Sequence, residues 1–304
     1  MGRATVQETQ LTTEIYARAG LIATEFSLLG LGAGSTIVTL LLALLPEHGG
    51  LVLLRPGLAA SAGLLGCGTA ISVVGRALDL GGSRTHKSLY ALWKPLLLLA
   101  VLGASLCWFS LHRVGQLADT TEKWTWPNSL LAVFVLLGMV AIVLLATLAL
   151  RALTAVQAGA PMAIAQMWQA HTHTLTGALG LVTLIGYSTE NLTRELQVFL
   201  ATALCVMAGH AVLATLWLLR GSHRTLKGLR QAGLRVHLLE RGHGMATLAL
   251  LGGLIAPGLL VLANLLIDKD ISPVLACALF AISNHAMRYA WVLLPLQAPV
   301  PTVT

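Results

Sequence analysis

Residues 129–150 read SLLAVFVLLGMVAIVLLATLAL, twenty-two positions without a charge, an amide or a proline. A helix needs about 20 consecutive apolar residues to cross the hydrocarbon of a bilayer, and this run supplies them. It does not alternate between apolar and polar, as a barrel strand would. Because lipid satisfies no backbone N–H or C=O, only a helix or a closed barrel can span it, and the stretch reads as a helix. Scanning outward finds seven further runs, at about 20–45, 57–76, 88–111, 162–187, 196–219, 244–267 and 273–295. Turn residues punctuate them: Pro46 and Gly49-Gly50 after the first, Gly81-Gly82 after the second, Pro127-Asn128 before the fourth and Pro273 opening the last. The sequence therefore predicts an all-α polytopic membrane protein, a bundle of eight transmembrane helices forming one domain over 1–304.

Composition agrees. Of 304 residues, 56% are hydrophobic and 10% are charged, against about 25% charged in soluble domains, and the mean hydropathy is +0.81. So few charges cannot coat a globule of this size with water-compatible surface, which excludes a soluble enzyme. The net charge of +7 is read as membrane topology rather than nucleic-acid binding, since no soluble module is left over to bind one. Cys67, Cys107, Cys205 and Cys277 each sit alone in an apolar run, so neither a disulfide scaffold nor a CxxC metal or redox motif is present. Met1–Arg18 is polar and mixed in charge, and the run after it is too long for the core of a cleaved signal, so the first run is expected to stay as a span.

The bases are distributed unevenly between the two sides. On the side of the N-terminus fall 12: Arg3, Arg18, Arg76, Arg84, Lys87, Arg151, Arg220, Arg224, Lys227, Arg230, Arg235 and Arg241. On the other side fall 5: Arg55, Arg113, Lys123, Arg194 and Lys269. Lys94 and Arg288 remain inside apolar runs. The positive-inside rule then predicts cytoplasmic termini in a cell inner membrane.

The connection RALDLGGSRTHKS at 76–88 gathers Arg76, Asp79, Arg84, His86 and Lys87 at the cytoplasmic ends of two helices, with glycines that allow close backbone approach. It reads either as a headgroup-facing turn or as a proton-exchanging site. In the second case Asp79, its only acid, stays ionised among cations and accepts protons or hydrogen bonds. Lys94, beside Trp93 and Pro95, either snorkels or faces the bundle. Arg288 lies deep in the last run with Asn284 one helical turn before it, so the two share a face, and a buried guanidinium there needs partners. His171, His173, His210 and His285 lie mid-membrane or toward the cytoplasmic side, and a pair from different helices could hold a haem b iron. The basic segment RGSHRTLKGLRQAGLRVHLLERGHG at 220–244 reads as an amphipathic helix on anionic lipid or a docking surface for an acidic partner.

Three of these stretches resemble the integral membrane anchor subunits of dimethyl sulfoxide reductase-type molybdenum enzymes, a family that includes the membrane subunit of cytoplasmic sulfite dehydrogenase. ALDLGGSRTHKSLYAL at 77–92 is similar to the family's His-Leu-Gly, spacer, Arg motif after helix two. LHRVGQLADTTEKWTWPNS at 111–129 is similar to its Arg-Val-Tyr, spacer, Pro-x-Trp-x-Ser connection, and SNHAMRYAW at 283–291 to its closing Gly-Glu-x-x-Gly-Arg-Tyr. Arg84 and Arg288 match unchanged. Asp79 stands in place of the family's histidine, Trp93-Lys94-Pro95 in place of Ser-Arg-Glu, and Asn284 in place of the glutamate.

The resemblance implies a quinone-reactive anchor. It would exchange electrons between an iron–sulfur subunit, itself wired to a molybdenum catalytic subunit, and ubiquinone or menaquinone. Its implied quinone-site residues are Arg76, Asp79, Arg84, His86, Trp93, Lys94, Asn284 and Arg288, with the role of the family's histidine falling at the position of Asp79. Both partners would dock on the cytoplasmic face, which favours sulfite oxidation over dimethyl sulfoxide-type reduction. A haem b electron-transfer subunit and a small-molecule transporter are the alternatives from other classes.

Overall fold

The run at 129–150 forms the core of a helix, α4 (Asn128–Ala155), in a computed structural model that describes residues 2–44, 50–79, 92–118, 128–155, 160–188, 192–231, 237–267 and 273–293. Over the described residues each of the other seven runs also lies on a helix, with 45, 88–91 and 294–295 outside them. Before it come α1 (Gly2–Ala43), a 3-10 turn at Gly50–Leu53, α2 (Leu54–Asp79) and α3 (Trp93–Ala118). After it come α5 (Ala160–Ser188) and α6 (Arg194–Gln231). The seventh helix, α7, has two halves, His237–Leu250 and Ala256–Ile267, joined by a π-helical turn at Leu251–Ile255. The last is α8 (Pro273–Leu293). The protein is a polytopic helical membrane protein.

Six of the helices are long and apolar enough to cross a membrane, over Gly20–Ala43, Leu54–Ala77, Trp93–Gly115, Leu130–Arg151, Arg194–Arg220 and Glu240–Leu266. α5 and α8 are not among them, and both carry a polar segment: Gln166, Gln169, His171, Thr172, His173 and Thr174 on α5, and Ser283, Asn284, His285 and Arg288 on α8. Their surroundings explain how such segments are tolerated. α5 packs against α1, α6 and α8, and α1 packs against α2, α4, α5 and α8. The α1 span is 78% buried, whereas the α2, α3 and α4 spans are 28–33% buried. The outer helices turn Leu98, Ile142, Leu213 and Leu259 outward, as lipid-facing surfaces require.

Small residues set the inner contacts, because helices in lipid associate by close packing rather than by a hydrophobic drive. A Cβ at Gly32 would come within 2.8 Å of Leu65 on α2, and one at Gly34 within 2.8 Å of Ala178 on α5. Glycines on α1 thus admit a neighbour on each side. The same contacts fix direction. Gly32 meets Leu65 and Gly68 meets Leu29, so α1 and α2 run antiparallel, while Gly30 meets Thr174 and Gly34 meets Ala178, so α1 and α5 run parallel.

Two boundaries differ from the sequence expectation. α1 begins at Gly2, well before the apolar run, and α6 continues to Gln231 through the basic segment. Residues 220–231 therefore prolong α6 and do not form a separate helix lying on the membrane, since nothing in 194–231 breaks the helix. At 1.5 Å per residue the 38 residues of α6 span roughly 57 Å, well beyond an apolar layer of about 30 Å.

Candidate functional site

The buried charges lie in one half of the bundle, and the best-defined pair was not among the sequence candidates. Arg151, taken from the sequence as a loop base, is fully buried in the last turns of α4. Its Nη1 donates to Glu25 Oε1 at 2.7 Å and its Nη2 to Oε2 at 3.3 Å, and its guanidinium lies 4.9 Å from the Phe26 ring. The reason is the helix length: α4 carries Arg151 inward along the α1 wall before it ends, opposite an acid only a few residues into the α1 span. A charge taken out of water needs an ion-pair and hydrogen-bonded partner to persist, and each of these two is the other's.

The network reaches outward from Glu25. Ser72 on α2 donates to Glu25 Oε1 at 2.8 Å, and the Trp93 indole N–H donates to Ser72 Oγ at 2.9 Å. Trp93 in turn lies 5.9 Å beneath the Arg76 guanidinium. Four helices, α1 to α4, are thereby tied together near the ends that flank the connection 80–91. Leu92, immediately before Trp93, has φ of 61°, a left-handed backbone that a branched side chain seldom adopts.

The eight residues named from sequence separate into two sets. Arg76 and Trp93 come together as described. Lys94 is exposed on the first turn of α3 and snorkels rather than facing the bundle, because α3 turns that side outward. Asp79 is the last residue of α2, with its side chain outside the described ones, and Arg84 and His86 lie outside the described residues. The second set is Asn284 and Arg288, both buried between α8 and α5. Arg288 Nη2 donates to the Ala170 carbonyl at 3.0 Å and also to the Thr174 hydroxyl. Thr174 donates to Asn284 Oδ1 at 3.5 Å, and Asn284 Nδ2 is buried without an acceptor. α1 stands between the sets, giving Glu25 to one and Ser27 to the other, where Ser27 Oγ lies 3.2 Å from His285 Nδ1.

A hydrogen-bonded row runs through the second set. Gln169 Nε2 meets His173 Nδ1 at 3.3 Å, His173 Nε2 meets Ser283 Oγ at 2.9 Å, and Ser283 donates to the Ala249 carbonyl at 3.2 Å. Since the Ser283 proton goes to Ala249, the Ser283 oxygen accepts from His173 Nε2. Ala249 lies just before the π-helical turn of α7, where Gly253 is pressed against Ser283 so closely that a Cβ would overlap it. π-turns of this kind commonly mark sites under functional constraint.

Whether the histidines suit a haem follows from these bonds. An axial ligand needs a nitrogen lone pair directed at the iron, and both His173 nitrogens are engaged. His210 lies exposed on α6 with Nδ1 against the Val206 carbonyl at 2.9 Å. His173 therefore has no free nitrogen for an iron, whereas the Nδ1 bond of His210 leaves its Nε2 open, on an exposed face of α6. The unpartnered Asn284 Nδ2 donor is the complement of a carbonyl oxygen. Among the described residues, no group of three or more His, Cys, Asp or Glu is assembled as for a metal ion.

The sequence also gave no hint of a groove of about 750 Å³ between α2 and α3 at the opposite end of the bundle, bordered by Ala59, Gly63, Ala104, Trp108 and His112. Glu25, by contrast, was visible as an acid inside the first apolar run. Its partner was not, because pairing across 126 residues has no local signature. No family model matches the chain, and no curated protein or solved structure matches it significantly.

Proposed function

We propose that this chain is the membrane anchor and quinone-reactive subunit of a molybdenum and iron–sulfur oxidoreductase, with all eight helices crossing the cell inner membrane and both termini in the cytoplasm. The observation that carries the reading is where the buried charges lie among the described residues. The buried charged residues Glu25, Arg151 and Arg288, and the amide donor of Asn284, are all in the half of the bundle that ends at the Arg76–Lys94 connection. Two of the three stretches that resemble the anchor family, 77–92 and 283–291, lie in that same half or at its surface, and the third, 111–129, joins α3 to α4 at the opposite end. Buried hydroxyls such as Thr39 and Ser110 lie in the other half as well, but the buried charges do not.

Reduction of a quinone to a quinol takes up two electrons and two protons. The electrons come from the iron–sulfur partner, and the protons from water on the cytoplasmic side. Within this scheme Glu25 and Arg151 hold Ser72, and Ser72 holds the Trp93 ring beneath Arg76, so the ion pair is a positioning element. Asp79, His86 and Lys94 handle hydrogen bonds and protons at the surface beside the fixed charge of Arg84, while Asn284 donates to a quinone oxygen and Arg288 fixes the polar face. The same groups serve quinol oxidation, and the partner chemistry favoured is sulfite oxidation. The partners dock on the cytoplasmic face, where the sequence concentrates its bases.

The test uses the assembled complex. Asp79→Ala and Lys94→Ala each lower quinone turnover while the three subunits still co-purify. Unchanged turnover in both variants removes the site assignment, and purification of the chain without an iron–sulfur partner removes the anchor role.

A further inference from the structure

α5 carries a polar stripe whose inner end is bonded and whose outer end is not. Gln166, Gln169 and His173 recur at i, i+3 and i+7, so they share one face of the helix. His173 directs that face to Ser283 on α8, and Ser283 passes the row on to the Ala249 carbonyl of α7. Toward the start of α5 the row stops at Gln169. Its Nε2 meets His173 Nδ1 at 3.3 Å, but its Oε1 is buried without a donor, and so is Gln166 Oε1, one helical turn further out. Thr174 stands beside Gly30 on the parallel helix α1, which puts Gln166 and Gln169 in the half of the bundle that holds Glu25.

Among the described residues two other buried side-chain oxygens lack a partner, Thr39 Oγ1 and Ser110 Oγ, and these are simpler to satisfy. A hydroxyl carries its own proton and can turn to the carbonyl one helical turn back, as Ser35, Thr36 and Thr176 do. An amide oxygen only accepts, and inside a helix each backbone N–H is already bonded to the carbonyl four residues before it. The donor for Gln166 and Gln169 therefore comes from outside α5. Turning the Gln169 amide over does not help, because the atom taken from His173 is then the one left without a partner. A donor that serves both residues has to be small and has to reach two amides on adjacent turns. Water meets both conditions: it donates two hydrogen bonds and accepts two, so it suits either orientation of each amide. Access runs past the outer residue, since Gln166 is 5% exposed and Gln169 0%.

We propose that Gln166 and Gln169 hold one buried water molecule, hydrogen-bonded to both side-chain amides, on the face of α5 that His173 turns to α8. The water completes a row that runs from the rim of the bundle through His173 and Ser283 to the π-helical turn of α7. It also couples two glutamines that have no bond to each other. The site does not depend on the quinone reading.

The direct test is electron cryomicroscopy of the full chain in lipid nanodiscs, with a bound antibody fragment, at a resolution that shows ordered water. One density peak is expected within about 3.2 Å of both amides. Amides that bond to each other or to other protein atoms, with no peak between them, overturn the proposal. The second test reads coupling by reversible unfolding of the full chain in mixed micelles. Gln166→Leu releases the water and strands the Gln169 amide, so the folding equilibrium constant is expected to fall about fivefold. In a Gln169→Leu background the water is already gone, and the same change removes a stranded oxygen, so the constant stays level or rises. Without a water, Gln166→Leu takes a partnerless oxygen out of the interior and stabilises the parent. A parent stabilised by Gln166→Leu, or an equal effect in the two backgrounds, overturns the proposal.

Discussion

Replacing Arg151 with Met leaves the Glu25 carboxylate in the bundle with Ser72 as its remaining donor from the network described above. The change removes two charge-assisted hydrogen bonds, at 2.7 and 3.3 Å, and the stacking on Phe26. Two effects compete in setting the magnitude. Neutral hydrogen bonds between membrane helices contribute only about 0.6 kcal/mol on average, because the unfolded chain in lipid finds other partners. Stranding one member of a buried ion pair costs about 3–5 kcal/mol, because the remaining charge has nowhere favourable to go. Arg151 is 0% exposed and Glu25 4%, so the second effect dominates and a loss of about 3 kcal/mol is expected. Converting both partners, Glu25→Gln with Arg151→Met, removes the stranded charge and recovers most of that loss. Ser72 then still has an acceptor in the amide oxygen. The measurement is reversible unfolding of the purified chain in mixed micelles of mild detergent and SDS, followed by tryptophan fluorescence, for parent, both single variants and the double. A loss below about 1 kcal/mol for Arg151→Met, or a double variant no more stable than the single, would refute the account of Glu25 and Arg151 as a desolvated, mutually dependent pair.

Three further outcomes are checked in the same unfolding assay. Ser72→Ala takes a donor from Glu25 and the acceptor from the Trp93 indole, so a loss of about 1–3 kcal/mol is expected, together with a shift in the Trp93 emission that Trp93→Phe abolishes. Arg288→Lys keeps the charge but its shorter, non-planar side chain does not hold a nitrogen where Nη2 donates to both the Ala170 carbonyl and the Thr174 hydroxyl, and a loss of about 1–2 kcal/mol follows; parent-like stability would mean the reach of the guanidinium contributes nothing. Gly253→Ala puts a methyl where Ser283 already sits, and overpacking of this kind costs about 1–3 kcal/mol. The neighbouring Gly252→Ala meets open space and serves as the control that stays unchanged.

The helices were legible because lipid imposes a length and an apolarity that a window of residues records directly, and 129–150 showed both. The polar interior was only half legible. Asn284 and Arg288 share a face by spacing alone, and both are buried as a charge in an apolar run requires. Which helix receives them is another matter: Ala170 and Thr174 on α5 are more than a hundred residues away, and nothing local selects them. Arg151 shows the opposite failure. It stands at the end of its apolar run, where a loop base and a buried helical base look alike, and only the length of α4 and the position of Glu25 decide between them. The extent of α6 was hidden for a similar reason, since a helix leaving the membrane loses its apolar signal without losing its hydrogen bonds.

The separation between Glu25 and Arg151 also bears on biogenesis. Glu25 emerges from the ribosome 126 residues before Arg151, a delay on the order of ten seconds at common synthesis rates. During that interval the first segment carries an acid with no cation to meet it, and release alone into the bilayer is costly. Retention of the first segment beside the insertion machinery, or at the headgroup boundary, until the fourth arrives is the expected outcome, checked by crosslinking of stalled nascent chains. The first four helices then leave as a set. The order of chain synthesis and the order of membrane partitioning differ in this protein, and the ion pair is the event that reconciles them.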